Sequence, residues 1–305
     1  MDSYRYISPL LLLFFLFPSF AQEKVYDAGY ECVYSYRVLT NGKSMTSSSV
    51  IKDKKTGEAF SSMDPGKDGV YDTYYLMLQT NGLISKTQDI LNYSRDSLFV
   101  ARQNMSQEAY ERKARKLEIK IEKSLFYYEP VVYQDNGTIT VEDFLVPDYV
   151  TYNELSAAFV WRILPDTLTV CGHLCQRGET SYGGRLWDVW FCPGIPITSG
   201  PWKFNGLPGL ILAAQDSQGI HSFTAISFKK SSVPILKKKD NHFERTTREK
   251  YVARKRAYDA DLFKAAPLSS LQSLSVDRSG GSAKIYFDGK RVRLSGHQKE
   301  SIELK

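Results

Sequence analysis

The chain has 305 residues, a formal net charge of +6 and an aromatic content of 13%, with 20 tyrosines. This length is enough for one large domain or two small ones, whose core needs no metal or disulfide to hold it. The positive charge is concentrated in residues 229–256, which contain 11 basic and 3 acidic residues, so the chain is not basic throughout. The many tyrosines favour β structure.

Residues 1–21 are typical of an export signal. An apolar run over residues 7–17 precedes the small residues Ser19 and Ala21. Because this run is shorter than the roughly 20 residues of a membrane-spanning helix, we predict cleavage after Ala21 rather than a membrane anchor. Residues 22–305 are then expected to form a single domain, in the periplasm or associated with the outer membrane.

The basic segment between Lys229 and Arg256 is compatible with several partners. A basic face can meet nucleic acid, an anionic lipid surface or a partner protein. Export makes nucleic acid the least suitable of these. The segment therefore predicts a solvated helix face, with a peripheral membrane contact as the functional alternative.

Alternating polar and apolar residues predict strands near the start of the chain. One stretch covers residues 25–51 and includes the hairpin signal Asn41-Gly42, and a second covers residues 72–79 and leads into Asn81-Gly82. Further strands are predicted at 126–133, 138–144, 159–164, 210–214, 220–228, 284–287 and 291–294.

Two segments have the period of an amphipathic helix. In residues 103–125, the side chains Tyr110, Leu117 and Ile121 form one apolar stripe among dense Glu and Lys. Residues 244–264 show a similar period on a strongly basic background. The expected fold is mainly β (α+β), a curved antiparallel sheet or half-barrel with two accessory helices.

A central hairpin is predicted around Gly183-Gly184, because a two-residue primed turn needs positive φ at both positions. In that register Tyr182 pairs with Arg185 and Cys175 lies opposite Cys192, which suggests a cross-strand disulfide. By default, Cys32 and Cys171 would then be a possible second pair. The same register places Glu179 opposite Asp188, a like-charge contact that argues against it. A turn shifted by one residue would instead pair Cys175 with Trp190.

No metal site or cofactor is expected. Cys171, His173 and Cys175 share one face of a strand, but same-face neighbours are nearly 7 Å apart, which is too wide for one ion with bonds near 2 Å. The sequence contains no phosphate-binding loop, dinucleotide fingerprint, nucleophile elbow or zinc-protease motif.

The stretch 184–211 is dense in Trp, Gly and Pro and contains the run Gly-Pro-Trp-Lys-Phe-Asn-Gly-Leu-Pro-Gly-Leu-Ile. This run resembles the signature of the GLPGLI family of exported bacterial proteins, and residues 301–305 are similar to the family's ending. The family has no established activity, so the resemblance implies no catalytic residue. The residues that carry the resemblance are Gly184, Arg185, Trp190, Pro196, Gly200, Pro201, Trp202, Phe204, Gly206, Leu207, Pro208, Gly209, Leu210 and Ile211.

The motif itself predicts a double bend. Pro208 and Gly209 occupy the two central positions that a type II turn prefers, directly after Asn205-Gly206. Two successive bends surrounded by aromatic residues make either a packed corner or the apolar rim of a pocket. We favour the packed corner, since buried aromatic residues usually serve packing.

Three functions remain open on the sequence. The first is a non-catalytic envelope protein that carries or binds a lipid or a hydrophobic segment. The second is an accessory subunit that docks on an outer-membrane complex, partly through Trp187 and Trp202. The third is a hydrolytic enzyme that uses Asp188, Glu179 or Asp216 with His221 as acid and base. Its carboxylates are more simply explained as solvated surface groups.

Overall fold

The structure is a computed structural model, which describes residues 22–27, 29–40, 70–124, 130–145, 148–238, 243–260, 274–277, 284–287, 290–292 and 301–305. The predicted export signal, the Asn41-Gly42 turn and the first part of the strand predicted at 126–133 lie outside these residues.

The described residues form seventeen strands and three α-helices. The strands are β1 (Gln22–Asp27), β2 (Tyr30–Thr40), β3 (Val70–Thr80), β4 (Ile84–Asp89), β5 (Val131–Asp135), β6 (Thr138–Leu145), β7 (Asp148–Leu155), β8 (Arg162–Val170), β9 (His173–Tyr182), β10 (Arg185–Cys192), β11 (Leu210–Asp216), β12 (His221–Lys230), β13 (Pro234–Lys238), β14 (Glu244–Arg245), β15 (Leu274–Asp277), β16 (Lys284–Phe287) and β17 (Lys290–Val292). The helices are α1 (Ile90–Ala101), α2 (Gln107–Lys123) and α3 (Arg248–Ala260).

Twelve strands form one open sheet in the order β14-β7-β6-β5-β4-β3-β2-β12-β11-β10-β9-β8. All neighbours are antiparallel except β14 and β7. Strands β1 and β13 form a separate pair, and β15 to β17 form a small three-stranded sheet. The mainly β, antiparallel architecture expected from the sequence is therefore confirmed, as an open sheet without barrel closure among the described strands.

The sheet bends until its two ends lie close together. Strands β7 and β8 are at or next to opposite edges, yet only residues 156–161 separate them in the chain. Tyr182 on β9 donates a hydrogen bond to Glu154 on β7. The two ends are thus joined by side chains and by a short connection, and the core lies inside the bend.

Strand β2 shows why these segments form strands. Cys32, Tyr34, Tyr36 and Val38 are buried, while the intervening residues are partly exposed. This period of two places one face of the strand against the core. The Tyr34 hydroxyl donates 2.7 Å to the Ile211 carbonyl and so ties β2 to the end of the central motif.

The structure has three helices in the described residues, where the sequence predicted two. Helix α2 falls within the segment predicted at 103–125 and α3 within that predicted at 244–264, but α1 was missed. Asp89 caps α1 by accepting a hydrogen bond from the Leu91 amide at 2.8 Å. The residues that α1 buries are Leu91 and Asp96, and Asp96 pairs with Lys86 at 2.7 Å. Because an ion pair rather than an apolar stripe holds this helix, it gives no clear helical period.

Helix α3 uses its positive charges to pack against the sheet. Arg254 pairs with Asp148 at 2.7 Å. Lys255 lies 3.9 Å from the buried Asp143 and 3.2 Å from Asp259 on its own helix. Arg254 and Lys255 are therefore matched by carboxylates, whereas Lys250 and Arg256 on the same helix are exposed, in keeping with the solvated face that the sequence suggested. None of the described helices is long and apolar enough to cross a membrane.

Candidate functional site: the charge cluster beneath the central motif

The predicted register of the central hairpin is correct. Gly183 and Gly184 have φ angles of 61° and 81°, as a primed two-residue turn requires. Tyr182 pairs with Arg185, and the ladder continues in the same register as far as the pair Phe191 and Gln176.

The like-charge contact that argued against this register is resolved by two arginines. Arg177 donates from Nε to Asp188 at 2.9 Å and from Nη2 to Glu179 at 2.9 Å. Arg162 also hydrogen-bonds Glu179, and this contact lowers the pKa of that carboxyl. Asp188 and Glu179 are therefore each paired with arginine on the hairpin surface, and they do not form an acid and base couple.

The predicted disulfide between Cys175 and Cys192 is not formed. Both are free thiols, as are Cys32 and Cys171. The ladder between β9 and β10 ends one pair before the two cysteines, where Cys192 pairs with Leu210 on β11 and begins a turn to Ile195. The correct register was therefore not sufficient for a bridge, since the strand leaves the ladder at the cysteine.

The double bend over residues 200–211 forms a packed corner. The Trp187 and Phe204 rings meet edge to face with centroids 5.0 Å apart, and Trp202 contacts Phe204 at 5.2 Å. Of the motif residues, Trp190 is half-buried, and Gly184, Pro196, Gly206 and Pro208 are exposed; the buried ones are Arg185, Gly200, Pro201, Trp202, Phe204, Leu207, Gly209, Leu210 and Ile211.

The second bend of the motif differs from the predicted type II turn. The Gly209 amide donates 2.8 Å to the Leu207 carbonyl, which makes a three-residue turn around Pro208. Gly209 is absent from the residues with positive φ in the described part of the chain. The position needs glycine for a different reason, because a Cβ there would lie 2.2 Å from the Cys192 carbonyl oxygen.

Lys203 is the functional candidate that the sequence did not single out. A turn closed by the Phe204 amide and the Pro201 carbonyl (3.2 Å) places its side chain inside the protein, where 1% of it is exposed. Trp202 in this turn has a φ of 56°, which is rare for a bulky residue. Nothing in the motif signals a buried cation except that the lysine stands between two aromatic residues, and its partners lie far away in sequence.

Lys203 lies in a closed group of charges and hydroxyls. Its Nζ is 2.6 Å from Glu154 Oε1, pairs with Glu303 and donates to the Tyr152 hydroxyl. Arg248 pairs with both of these glutamates. Two cations thus face two carboxylates, so the group is neutral as a whole. We call these residues, Tyr152, Glu154, Lys203, Arg248 and Glu303, the Lys203 cluster.

The environment of the cluster keeps its phenols protonated. Burial, followed by the charges of Glu303 and Glu154, raises the pKa of Tyr152 well above its ordinary value. The same causes raise the pKa of Tyr182, which donates to Glu154. Both phenols therefore stay protonated and do not act as phenolate bases: the Tyr152 hydroxyl accepts from Lys203, and the Tyr182 hydroxyl donates to Glu154.

Arg185 attaches the segment 301–305 to the hairpin. Its guanidinium pairs with Asp216 at 2.8 Å, and both side chains are at most 2% exposed. It also donates to the carbonyls of Ser301 (2.8 Å) and Ile302 (3.1 Å). The Leu304 amide donates 2.6 Å to the Gly183 carbonyl. Together with the pairing of Glu303 to Lys203, these contacts make the motif the binding surface for this segment.

The acid and base proposed for the enzyme alternative have structural partners. Asp216 accepts from Arg185 and, at 2.8 Å, from the His221 amide. His221 Nδ1 lies 2.9 Å from the Tyr36 hydroxyl, and the residue is 1% exposed. His221 and Asp216 thus help to fasten the β11–β12 turn inside the core. No group of three or more His, Cys, Asp or Glu side chains in the described residues could hold a metal ion.

An open groove of about 910 Å³ lies beside the cluster. Glu154, Arg248 and Lys305 are among the residues that line it. Leu155 and Leu186 line it with 71% and 47% of their surface exposed. The other lining residues are Ala157, Ala158, Ser181, Tyr182, Gly183, Gly184 and Arg185.

Comparisons with known proteins give a family match over a short stretch of the chain and no activity. Two solved structures of PNGF-II, in the P21 and C2 space groups, are similar to this chain at 14% and 15% identity, with TM-scores of 0.44 and 0.42. Each comparison covers 82% of this chain and 34% of the other, so the chain spans about a third of the length of those structures. No curated protein matches the chain. The model of the family described as "Protein of unknown function (Porph_ging)" matches residues 182–213, which identifies this stretch as that of the GLPGLI family.

Proposed function

We propose that the protein is an exported, non-catalytic docking protein of the cell envelope, which binds a hydrophobic segment of a partner protein in the groove beside the Lys203 cluster. The observation that carries this proposal is that Leu155 and Leu186, from two distant parts of the chain, are exposed and line the same groove. A concave site lined by exposed apolar side chains is a common form of binding site.

The packed corner favours docking over the transport of a lipid inside the fold. Phe204 and Leu207 are at most 1% exposed, so the motif fills the space that an acyl chain would need there. The carboxylates considered for hydrolysis are ion-paired with arginines. Docking needs only the protein surface, which stays accessible when the core is filled and these carboxylates are ion-paired. Export, with removal of residues 1–21, is part of the proposal.

Site-specific crosslinking in cells tests the proposal. A photo-crosslinking amino acid is placed at Leu155 or Leu186, and the matched control is placed at Leu174, which is 65% exposed. Leu174 is eight residues from Tyr182 on β9, a distance of about 26 Å along the strand. We expect the same protein adduct from the two groove positions and none from Leu174. Equal crosslinking from all three positions, or none from the groove, would contradict the proposal.

A further inference from the structure

The groove is unevenly charged. Its lining contains three basic side chains, Arg185, Arg248 and Lys305, and one carboxylate, that of Glu154. The Glu154 charge is already matched by Lys203 at 2.6 Å. Arg185 is matched by Asp216, and Arg248 by Glu303. Among the residues that line the groove, Lys305 is the exposed cation that takes no part in these pairs.

The segment already bound next to the groove shows which chemistry this surface recognises. Residues 301–305 place Glu303 against Lys203 and Arg248, with the aliphatic residues Ile302 and Leu304 on either side. Apart from the Glu303 carboxylate, the hydrogen bonds to this segment go to its backbone: Arg185 binds two of its carbonyls, and the Arg248 Nη2 binds the Lys305 carbonyl at 2.9 Å. Such contacts suit an extended chain whose only required side chain is acidic.

We propose that the partner segment, on the docking function proposed above, is an extended stretch in which an acidic residue stands between aliphatic residues. Leu155, Leu186 and the exposed Ala157 and Ala158 line the groove and contact its aliphatic side chains. The acidic side chain pairs with Lys305, which lines the same groove. In an extended chain, alternate side chains point to opposite sides. The aliphatic side chains of the partner segment therefore face Leu155 and Leu186, while the acidic side chain between them faces Lys305.

Peptide binding to the full-length protein tests this inference. The probes are two fluorescein-labelled peptides, Gly-Leu-Glu-Leu-Glu-Leu-Gly and its counterpart with Lys in place of Glu, titrated by fluorescence anisotropy at low and high salt. We expect saturable binding of the acidic peptide, and binding of the lysine peptide that is at least about tenfold weaker. The difference should shrink at high salt, because the charge on Lys305 is solvent-exposed.

Variants of the protein assign the effect to the groove. Lys305→Glu and Leu155→Asp should each weaken binding of the acidic peptide by about tenfold. Lys250→Glu changes an exposed lysine on α3 that does not line the groove, and should leave binding unchanged. Equal affinity for the two peptides, or insensitivity to Lys305→Glu, overturns the inference. Vesicles with anionic lipid form a separate arm: binding to vesicles that depends on Lys305, without binding of the peptide, also overturns it.

This outcome is distinguishable from failure of the docking function. Crosslinks from Leu155 and Leu186 without an acidic preference would leave the docking function standing and remove only the partner chemistry. Absence of groove crosslinks would remove the docking function itself.

Discussion

Lys203 and Glu303, one hundred residues apart in the chain, form an ion pair inside the protein, where their side chains are 1% and 4% exposed. The pair connects the central motif with residues 301–305. Arg248 on α3 binds the second oxygen of Glu303, so a third part of the chain meets at the same carboxylate. The central motif therefore has a definite structural role: it assembles segments that are distant in sequence.

Removing the Lys203 charge should strongly destabilise the protein. In Lys203→Met, the carboxylates of Glu154 and Glu303 remain buried with only Arg248 to neutralise them. Breaking a buried pair by deleting one partner costs about 3–5 kcal/mol, which urea denaturation of the purified protein measures. In the double variant with Glu303→Gln added, one cation, Arg248, again faces one carboxylate, Glu154. The double variant should therefore regain at least about 1 kcal/mol of the lost unfolding free energy. Simple additivity of the two changes would show that the pair is not coupled.

Arg185→Lys should loosen residues 301–305. Lysine keeps the charge but lacks the planar fork that reaches Asp216 and two carbonyls at once, so we expect a loss of about 3 kcal/mol. Hydrogen exchange should rise at the Leu304 amide, which donates to the Gly183 carbonyl. The control is Arg256→Gln: this exposed arginine makes one hydrogen bond to the Leu304 carbonyl (2.8 Å), worth about 1 kcal/mol. Equal effects of the two changes would refute a special role for Arg185.

Gly209→Ala should destabilise the protein by about 3 kcal/mol, the upper end of the cost of overpacking. The added Cβ would lie 2.2 Å from the Cys192 carbonyl oxygen, and backbone on both sides would have to move. Gly194→Ala is the matched control, because its nearest contact would be the Cys192 sulfur at an ordinary 3.6 Å. Thermal denaturation of both variants compares them, and similar melting temperatures would show that the close approach at Gly209 is not limiting.

The Cys175 thiol should resist alkylation in the folded protein. Burial and the neighbouring Cys192 raise its pKa to about 12, from an ordinary value of about 8.5. Folding therefore favours the protonated thiol, so stability falls as the pH rises from the unfolded value of about 8.5 to the folded value of about 12, because the unfolded state releases this proton first. At pH 8 the reactive thiolate is about 10⁻⁴ of the total. Iodoacetamide labelling followed by peptide mass spectrometry should leave Cys175 unmodified in buffer and modify it in urea. Rapid labelling without urea would contradict the shift.

Local patterns in the sequence were sufficient for much of the sheet and for the hairpin. Paired glycines with positive φ determine a turn type, and the turn type determines which residues face each other, so the pairing of Tyr182 with Arg185 followed directly. Helix α1 was missed because Asp96, its buried contact, is polar in the sequence and finds its partners, Lys86 and Gln88, on strand β4. The disulfide was expected from the register alone, but the ladder between β9 and β10 ends one pair before Cys175 and Cys192.

The sequence by itself determined the β-rich class, the register of the central hairpin and the family resemblance, because these depend on side-chain period, turn chemistry and a contiguous motif. Only the tertiary structure decided that Lys203 is buried and which residues neutralise it. Its partners are Glu154 and Glu303, 49 and 100 residues away. A buried charge is stable only when opposite charges and hydrogen-bond partners surround it, and that condition depends on how the sheet bends rather than on any local pattern.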